Sequence, residues 1–167
     1  MPSTAKKPTA PTALEVGDTA PGFSMSSTAS TQTLAQYKGK KHVVLYFYPK
    51  DDTPGCTLEA KDFRDLSKEF AKADAVVIGV SKDDMKSHEK FCAKFDLNFA
   101  LASDADGTVC DAYGTWVEKN MYGKKYMGIQ RATYLIDKTG KIAAIWPKVS
   151  VTGHAAEVLK AAKKLAD

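Results

Sequence analysis

The chain carries three cysteines, Cys56, Cys92 and Cys110, and three dispersed histidines, His42, His88 and His154. Cys56 stands in the context most suggestive of chemistry. It follows an apolar run, His42–Tyr48, then a loop that opens at Pro49. Thr53 next reads as a helix cap, with Pro54 at the first helical position. A thiol in the first turn of a helix meets unpaired backbone N–H groups and the positive end of the helix dipole. Both favour thiolate, the nucleophilic form. A cysteine without such surroundings is usually a small buried hydrophobe. The turn reads Thr53-Pro54-Gly55-Cys56, with a hydroxyl where a dithiol exchanger carries its first sulfur. A single thiolate beside a hydrogen-bonding group suits attack on one oxygen of a hydroperoxide, with donors stabilising charge on the leaving oxygen.

The elements that must position these residues follow from patterning. His42–Tyr48 (HVVLYFY) has no polar alternation, as expected of a strand buried on both faces. Cys56, Ala60, Phe63 and Phe70 recur at near-helical spacing, with Leu66 close to the same stripe. They predict an amphipathic helix running to about Ala71. Ala75–Val80 is a second buried strand. Ser81 with Asp84 resembles a capping box, opening a helix with Met85, His88, Phe91, Cys92 and Phe95 on one side.

A short strand near Phe99–Ser103 and a helical turn around Val109–Tyr113 follow. Arg131–Ile136 and Ile142–Trp146 read as a hairpin across DKTGK. Thr152 can cap a last helix with Val158, Leu159, Ala162 and Leu165 as its apolar stripe. Upstream, Val16–Leu34 reads as short strands and turns before a helical snippet at Leu34–Tyr37. The order predicts an α/β fold with a central mixed β-sheet flanked by helices. It spans one domain over 15–167 behind a disordered tail at 1–14. A thioredoxin-like fold suits this order, and patterning alone leaves other doubly wound folds open.

The segment Pro49-Lys50-Asp51-Asp52-Thr53-Pro54-Gly55-Cys56 resembles the peroxiredoxin active-site loop. The stretch Tyr113–Asp137 (YGTWVEKNMYGKKYMGIQRATYLID) resembles the bacterioferritin comigratory protein, or Q, group of that family. The similarity runs from about Gly17 to the C-terminus. It implies reduction of hydrogen peroxide and small organic hydroperoxides without metal, haem or flavin. Carried onto this chain, it makes Cys56 the peroxidatic cysteine and has Thr53 hydrogen-bond the thiolate and the peroxide. Pro49 would shape the pocket and shield the sulfur, and Arg131 matches an arginine brought from a distant strand. A guanidinium is always charged and donates in a fixed fork, so it can favour thiolate and orient peroxide together.

Peroxide attack would leave Cys56 as a sulfenic acid, which normally condenses with a second thiol. Many members of the resembled group carry that thiol five positions downstream, where this chain has Lys61. Others place it on the helix that corresponds to Met85–Phe95, which points to Cys92 as the resolving cysteine. Cys110, in DGTVCDAYG, reads as a packing residue. A disulfide needs Cα atoms about 4.4–6.8 Å apart, so the first turn at Cys56 and part of the Cys92 helix are expected to unwind locally. Thioredoxin or a similar dithiol protein would reduce the bond. The rivals are a one-cysteine peroxidase recycled by an external thiol, and a thiol-dependent chaperone or redox-signalling protein.

Composition narrows the setting. The net charge of +4 is mild, and the lysine pairs Lys40-Lys41, Lys124-Lys125 and Lys163-Lys164 are scattered rather than interleaved with aromatics. This argues against a nucleic-acid partner. There is no apolar run of membrane-spanning length, and the start of the chain lacks the apolar stretch of a secretory signal. The odd cysteine count argues against a disulfide scaffold, and neither CxxC nor HxxxH pairing supports structural zinc. The expectation is a cytoplasmic protein with no membrane partner and no cofactor. The group resemblance implies a monomer.

Overall fold

In the computed structural model every side chain of the strand His42–Phe47 is buried, and its residues alternate between two cores. Val43, Leu45 and Phe47 face one core, while Val44, Tyr46 and the following Tyr48 face the other. This period of two with no exposed face is what an interior strand requires. Residues 13–166 are described. The tail expected over 1–14 lies outside them except for Ala13 and Leu14, and Leu14 packs against the first core.

In chain order the strands are β1 (Ser24–Ser27), β2 (Gln32–Thr33), β3 (His42–Phe47), β4 (Ala75–Ser81), β5 (Ala100–Ser103), β6 (Trp116–Met121), β7 (Lys124–Ile129), β8 (Ala132–Ile136) and β9 (Ile142–Trp146). The helices are α1 (Pro54–Asp65), α2 (Ser67–Lys72), α3 (Met85–Phe95), α4 (Thr108–Ala112) and α5 (His154–Ala166). Seven strands form one sheet in the order β2-β1-β5-β4-β3-β8-β9. Its centre, β5-β4-β3, is parallel, and the remaining pairs are antiparallel. The fold is the expected thioredoxin-like one, a mixed sheet flanked by helices.

The two cores lie on opposite faces of this sheet. Cys56, Ala60 and Phe63 of α1, Phe70 of α2, Phe91 of α3 and Val158 of α5 join Val44, Tyr46 and Tyr48. Val109 and Cys110 of α4 join Val43, Leu45 and Phe47 on the other side. Each fully buried large apolar side chain is worth about 1.5–3 kcal/mol relative to exposure. Gly79 stands directly across from Tyr46 in the β3–β4 register. A Cβ there would lie 2.9 Å from the Tyr46 ring and from Leu101 Cδ2, so the glycine makes room for the tyrosine.

Several boundaries differ from the sequence expectation. The helix expected to run to Ala71 breaks at Leu66, whose N–H is shared between the carbonyls of Asp62 and Phe63. Such three-centre bonding tightens a helix end without needing glycine or proline. Ser81 is the last residue of β4, paired with Ser103, and the helix cap is Asp84, which accepts from the Ser87 N–H at 2.8 Å. The last helix starts at His154, so Thr152 sits too early to cap it. Arg131 precedes β8 rather than opening it. The hairpin β6–β7 was not foreseen: its strands are mostly exposed and lysine-rich, and its turn, Tyr122-Gly123, uses positive φ at both residues.

Candidate active site

β8 runs antiparallel to β3 with Ala132 opposite Phe47. The residue just before Ala132 therefore lies beside the loop that leaves β3 and enters α1. That residue is Arg131. This register brings its guanidinium to Cys56, the third residue of α1, although the two are 75 positions apart.

Arg131 Nη2 donates to Cys56 Sγ at 3.4 Å, and Nη1 donates to Glu59 Oε1 at 2.7 Å. Cys56 and Glu59 are three apart on α1, so they share a helix face and present a sulfur and a carboxylate to the two arms of one fork. Both are buried, 2% and 1% exposed. Gly55 makes the approach possible: a Cβ on it would lie 3.2 Å from Arg131 Nη2. Burial works against the Arg131 charge, but Glu59 and the Cys56 sulfur more than offset it and raise its pKa. Burial also pushes the Glu59 carboxyl up to about 7, against the pull of Arg131. Glu59 Oε2 has no hydrogen-bond partner among the described residues.

Thr53 occupies the cap position of α1, as expected, but its hydroxyl donates to the Lys50 carbonyl at 3.0 Å rather than to the sulfur. It closes the loop on itself. Pro49 is half-buried where the chain leaves β3. Lys119 of β6 adds a further cation: burial lowers its pKa, Arg131 lowers it further, and Cys56 opposes both. Gly55, Glu59 and Lys119 were not singled out from sequence. Glu59 had a usable signal, a carboxylate one turn beyond the cysteine beside the apolar stripe.

All three cysteines are unpaired. Cys92 is half-buried on α3, packed against the same core as Cys56, and its Sγ donates to Thr28 Oγ1 at 3.7 Å. Burial pushes its thiol up, Thr28 works the other way, and the Asp51 charge adds to the rise. Cys110 belongs to the core on the opposite face of the sheet, and burial pushes its thiol up to about 12. The sheet separates Cys110 from Cys56.

One thiol in the first turn of a helix, faced by an arginine delivered across a thioredoxin-like sheet, defines a peroxiredoxin. Comparison with known proteins agrees. The chain belongs to the AhpC/TSA family, whose model matches residues 16–145, and within it to the bacterioferritin comigratory protein, or Q, group. It is 54% identical over 147 residues to the putative peroxiredoxin Bcp of Coxiella burnetii, covering 87% of this chain and 97% of that one. It is 46% identical to peroxiredoxin Bcp of Bacillus subtilis over 92% of this chain and 98% of that one. The structure of peroxiredoxin Q from Xanthomonas campestris superposes with a TM-score of 0.82 at 46% identity, covering 87% of this chain and 92% of that one. A mutant of the corresponding Xylella fastidiosa protein gives 0.87 at 40% identity, covering 94% and 100%.

Proposed function

We propose that this chain reduces hydrogen peroxide and small organic hydroperoxides through Cys56, resolves the product with Cys92, and is recycled by thioredoxin or a similar dithiol protein. The observation that carries the first step is the contact between Arg131 and the Cys56 sulfur. The Cys56 thiolate attacks the terminal peroxide oxygen. The O–O bond breaks, Cys56 becomes a sulfenic acid, and the electron pair leaves on the alkoxide or hydroxide, which takes a proton. Arg131 holds the sulfur's negative charge, is placed to steer the peroxide, and is itself held by Glu59. A bacterioferritin comigratory protein of Xanthomonas campestris, 45% identical with a TM-score of 0.82, is described for alkyl peroxide reduction from trapped intermediate and ligand complexes, which supports this substrate class.

In the second step Cys92 gives up its proton and its sulfur attacks the sulfenic sulfur; the S–O bond breaks, the hydroxide leaves with that proton as water, and a Cys56–Cys92 disulfide forms. Its place beside the Cys56 core supports Cys92, and the sheet argues against Cys110. A dithiol protein then reduces the bond and is itself oxidised to a disulfide. The same group likeness supports a cytoplasmic monomer acting without a cofactor. Among the described residues there is no helix long and apolar enough to cross a membrane.

A thioredoxin-coupled assay of Cys92→Ser tests the cycle. The variant is expected to lose coupled turnover while Cys56 still reacts with one equivalent of peroxide. Undiminished coupled turnover would contradict Cys92 as the resolving thiol.

A further inference from the structure

Asp51 lies in the loop between Pro49 and Thr53, and it is buried, 8% exposed. Its Oδ1 accepts from the Tyr48 hydroxyl at 2.6 Å, and its Oδ2 accepts from Ser87 Oγ at 2.8 Å. The same Oδ2 lies 2.7 Å from Nδ1 of His88, a fully buried residue of α3. The other ring nitrogen, Nε2, lies 3.0 Å from the Ala102 carbonyl of β5. Both nitrogens thus face oxygens that only accept. A neutral imidazole has one donor, so both contacts are satisfied only by the imidazolium.

The remaining groups around the ring are accounted for. Tyr48, the residue after β3, lies 3.5 Å from Nδ1 and donates its hydroxyl proton to Asp51. Asp83, from the β4–α3 connection, accepts from the Asp51 N–H at 2.8 Å and from Ser81 Oγ at 2.7 Å. The meeting atoms of Asp51, Asp83 and His88 lie within 4.8 Å of one another, and each already has a hydrogen-bond partner. The cluster is a closed network rather than a metal centre.

This network joins the two segments that must open for a disulfide to form. Asp51 belongs to the loop that carries Cys56, and His88 precedes Cys92 by one turn of α3. Other side-chain ties also act on α3, among them the long Cys92 Sγ to Thr28 Oγ1 contact at 3.7 Å. Lys94–Asp52 at 2.9 Å is exposed on both sides and holds little. Arg64 Nη1 donates to the Phe95 carbonyl at 2.8 Å and secures the far end. We propose that the buried His88–Asp51 ion pair is the latch holding the Cys92 helix against the peroxidatic loop, and that its release sets how fast Cys92 reaches the Cys56 sulfenic acid. The second half rests on the reading of Cys92 as resolving thiol, whereas the first half stands on geometry alone.

Removing one partner of a buried pair leaves the other charge uncompensated, so the segments should open together. The latch exists only while His88 carries both ring protons and Asp51 none. It weakens in strong acid, where Asp51 gains a proton: burial pushes the Asp51 carboxyl up, but hydrogen bonds from His88, Tyr48 and Ser87 outweigh this and hold it below the usual carboxylate range.

Hydrogen exchange on the reduced full chain tests the latch in wild type, His88→Gln and Asp51→Asn at one pH. Residues 85–95 are expected to open at least about tenfold more in both variants. Equal protection of 85–95 in all three proteins overturns the latch. Loss of protection across β3 and β4 to the same extent as across 85–95, in both variants, overturns it too, because the pair would then hold the whole sheet rather than this helix.

Stopped-flow oxidation with non-reducing peptide mapping tests the second half. The disulfide step should accelerate in the variants by the factor seen in exchange. Greater opening with an unchanged rate of Cys56–Cys92 linkage overturns that half. Greater opening with no Cys56–Cys92 linkage in any of the proteins supports the latch and overturns the reading of Cys92.

Discussion

Around Cys56 the electrostatics depend on Arg131, on Glu59, and on the side chain that Gly55 lacks. Arg131 comes near the sulfur because Gly55 leaves the space, and it stays there because Glu59 takes its other arm. Gly55→Ala should push the guanidinium away and lower the second-order rate of Cys56 oxidation by about tenfold or more, since small misplacements of a charge-stabilising donor are costly. Arg131→Lys should also slow this step, because an ammonium cannot serve sulfur and carboxylate as one fork. Stopped-flow oxidation by hydrogen peroxide measures both, and wild-type rates would contradict this role for the guanidinium. The Cys56 context was legible because strand, proline, cap and cysteine are contiguous. Glu59 was only half legible: its place one turn beyond the cysteine was visible, but its burial depends on a cation 72 positions away.

At the scale of elements, β3 and β4 are the frame on which the site hangs. Their register puts Gly79 against Tyr46, and a methyl group there would overlap the ring. Gly79→Ala should therefore cost about 1–3 kcal/mol in urea unfolding, the usual penalty for overpacking a dense core. An unchanged midpoint would mean that the Tyr46 ring has room to move. Both strands could be read from uninterrupted apolar runs. The β6–β7 hairpin could not, because exposed strands bearing lysines give no alternation strong enough to notice. The break at Leu66 was equally hidden, as it arises from shared hydrogen bonding rather than from a breaker residue.

For the whole molecule, two buried groups near Arg131 work against each other in acid. Burial, helped by the Arg131 charge, lowers the pKa of His154 from 6.5 to about 4. The unfolded chain then binds that proton more readily, so stability falls as pH drops from 6.5 toward 4. Glu59 is raised from 4.5 to about 7, so the folded chain binds its proton more readily and stability rises as pH drops through that window. Each is worth about 3 kcal/mol at full extent, so their sum is nearly flat in wild type. In urea unfolding across this range, His154→Gln should gain stability toward acid relative to wild type, and Glu59→Gln should lose it. Two profiles parallel to wild type would contradict the opposed assignment. No reading of the sequence could have paired these groups, since one lies on α1, the other on α5, and Arg131 arrives from the residue just before β8. The order of strands and helices, by contrast, was legible almost throughout.

The central claim is that peroxide drives Cys56 to a disulfide with Cys92. Non-reducing peptide mapping by mass spectrometry after one equivalent of hydrogen peroxide tests it most directly. The account predicts an intramolecular Cys56–Cys92 linkage with Cys110 left as a thiol. A persistent Cys56 sulfenic acid, or glutathione captured on Cys56 alone when glutathione is supplied, would contradict it and assign the second step to an external thiol.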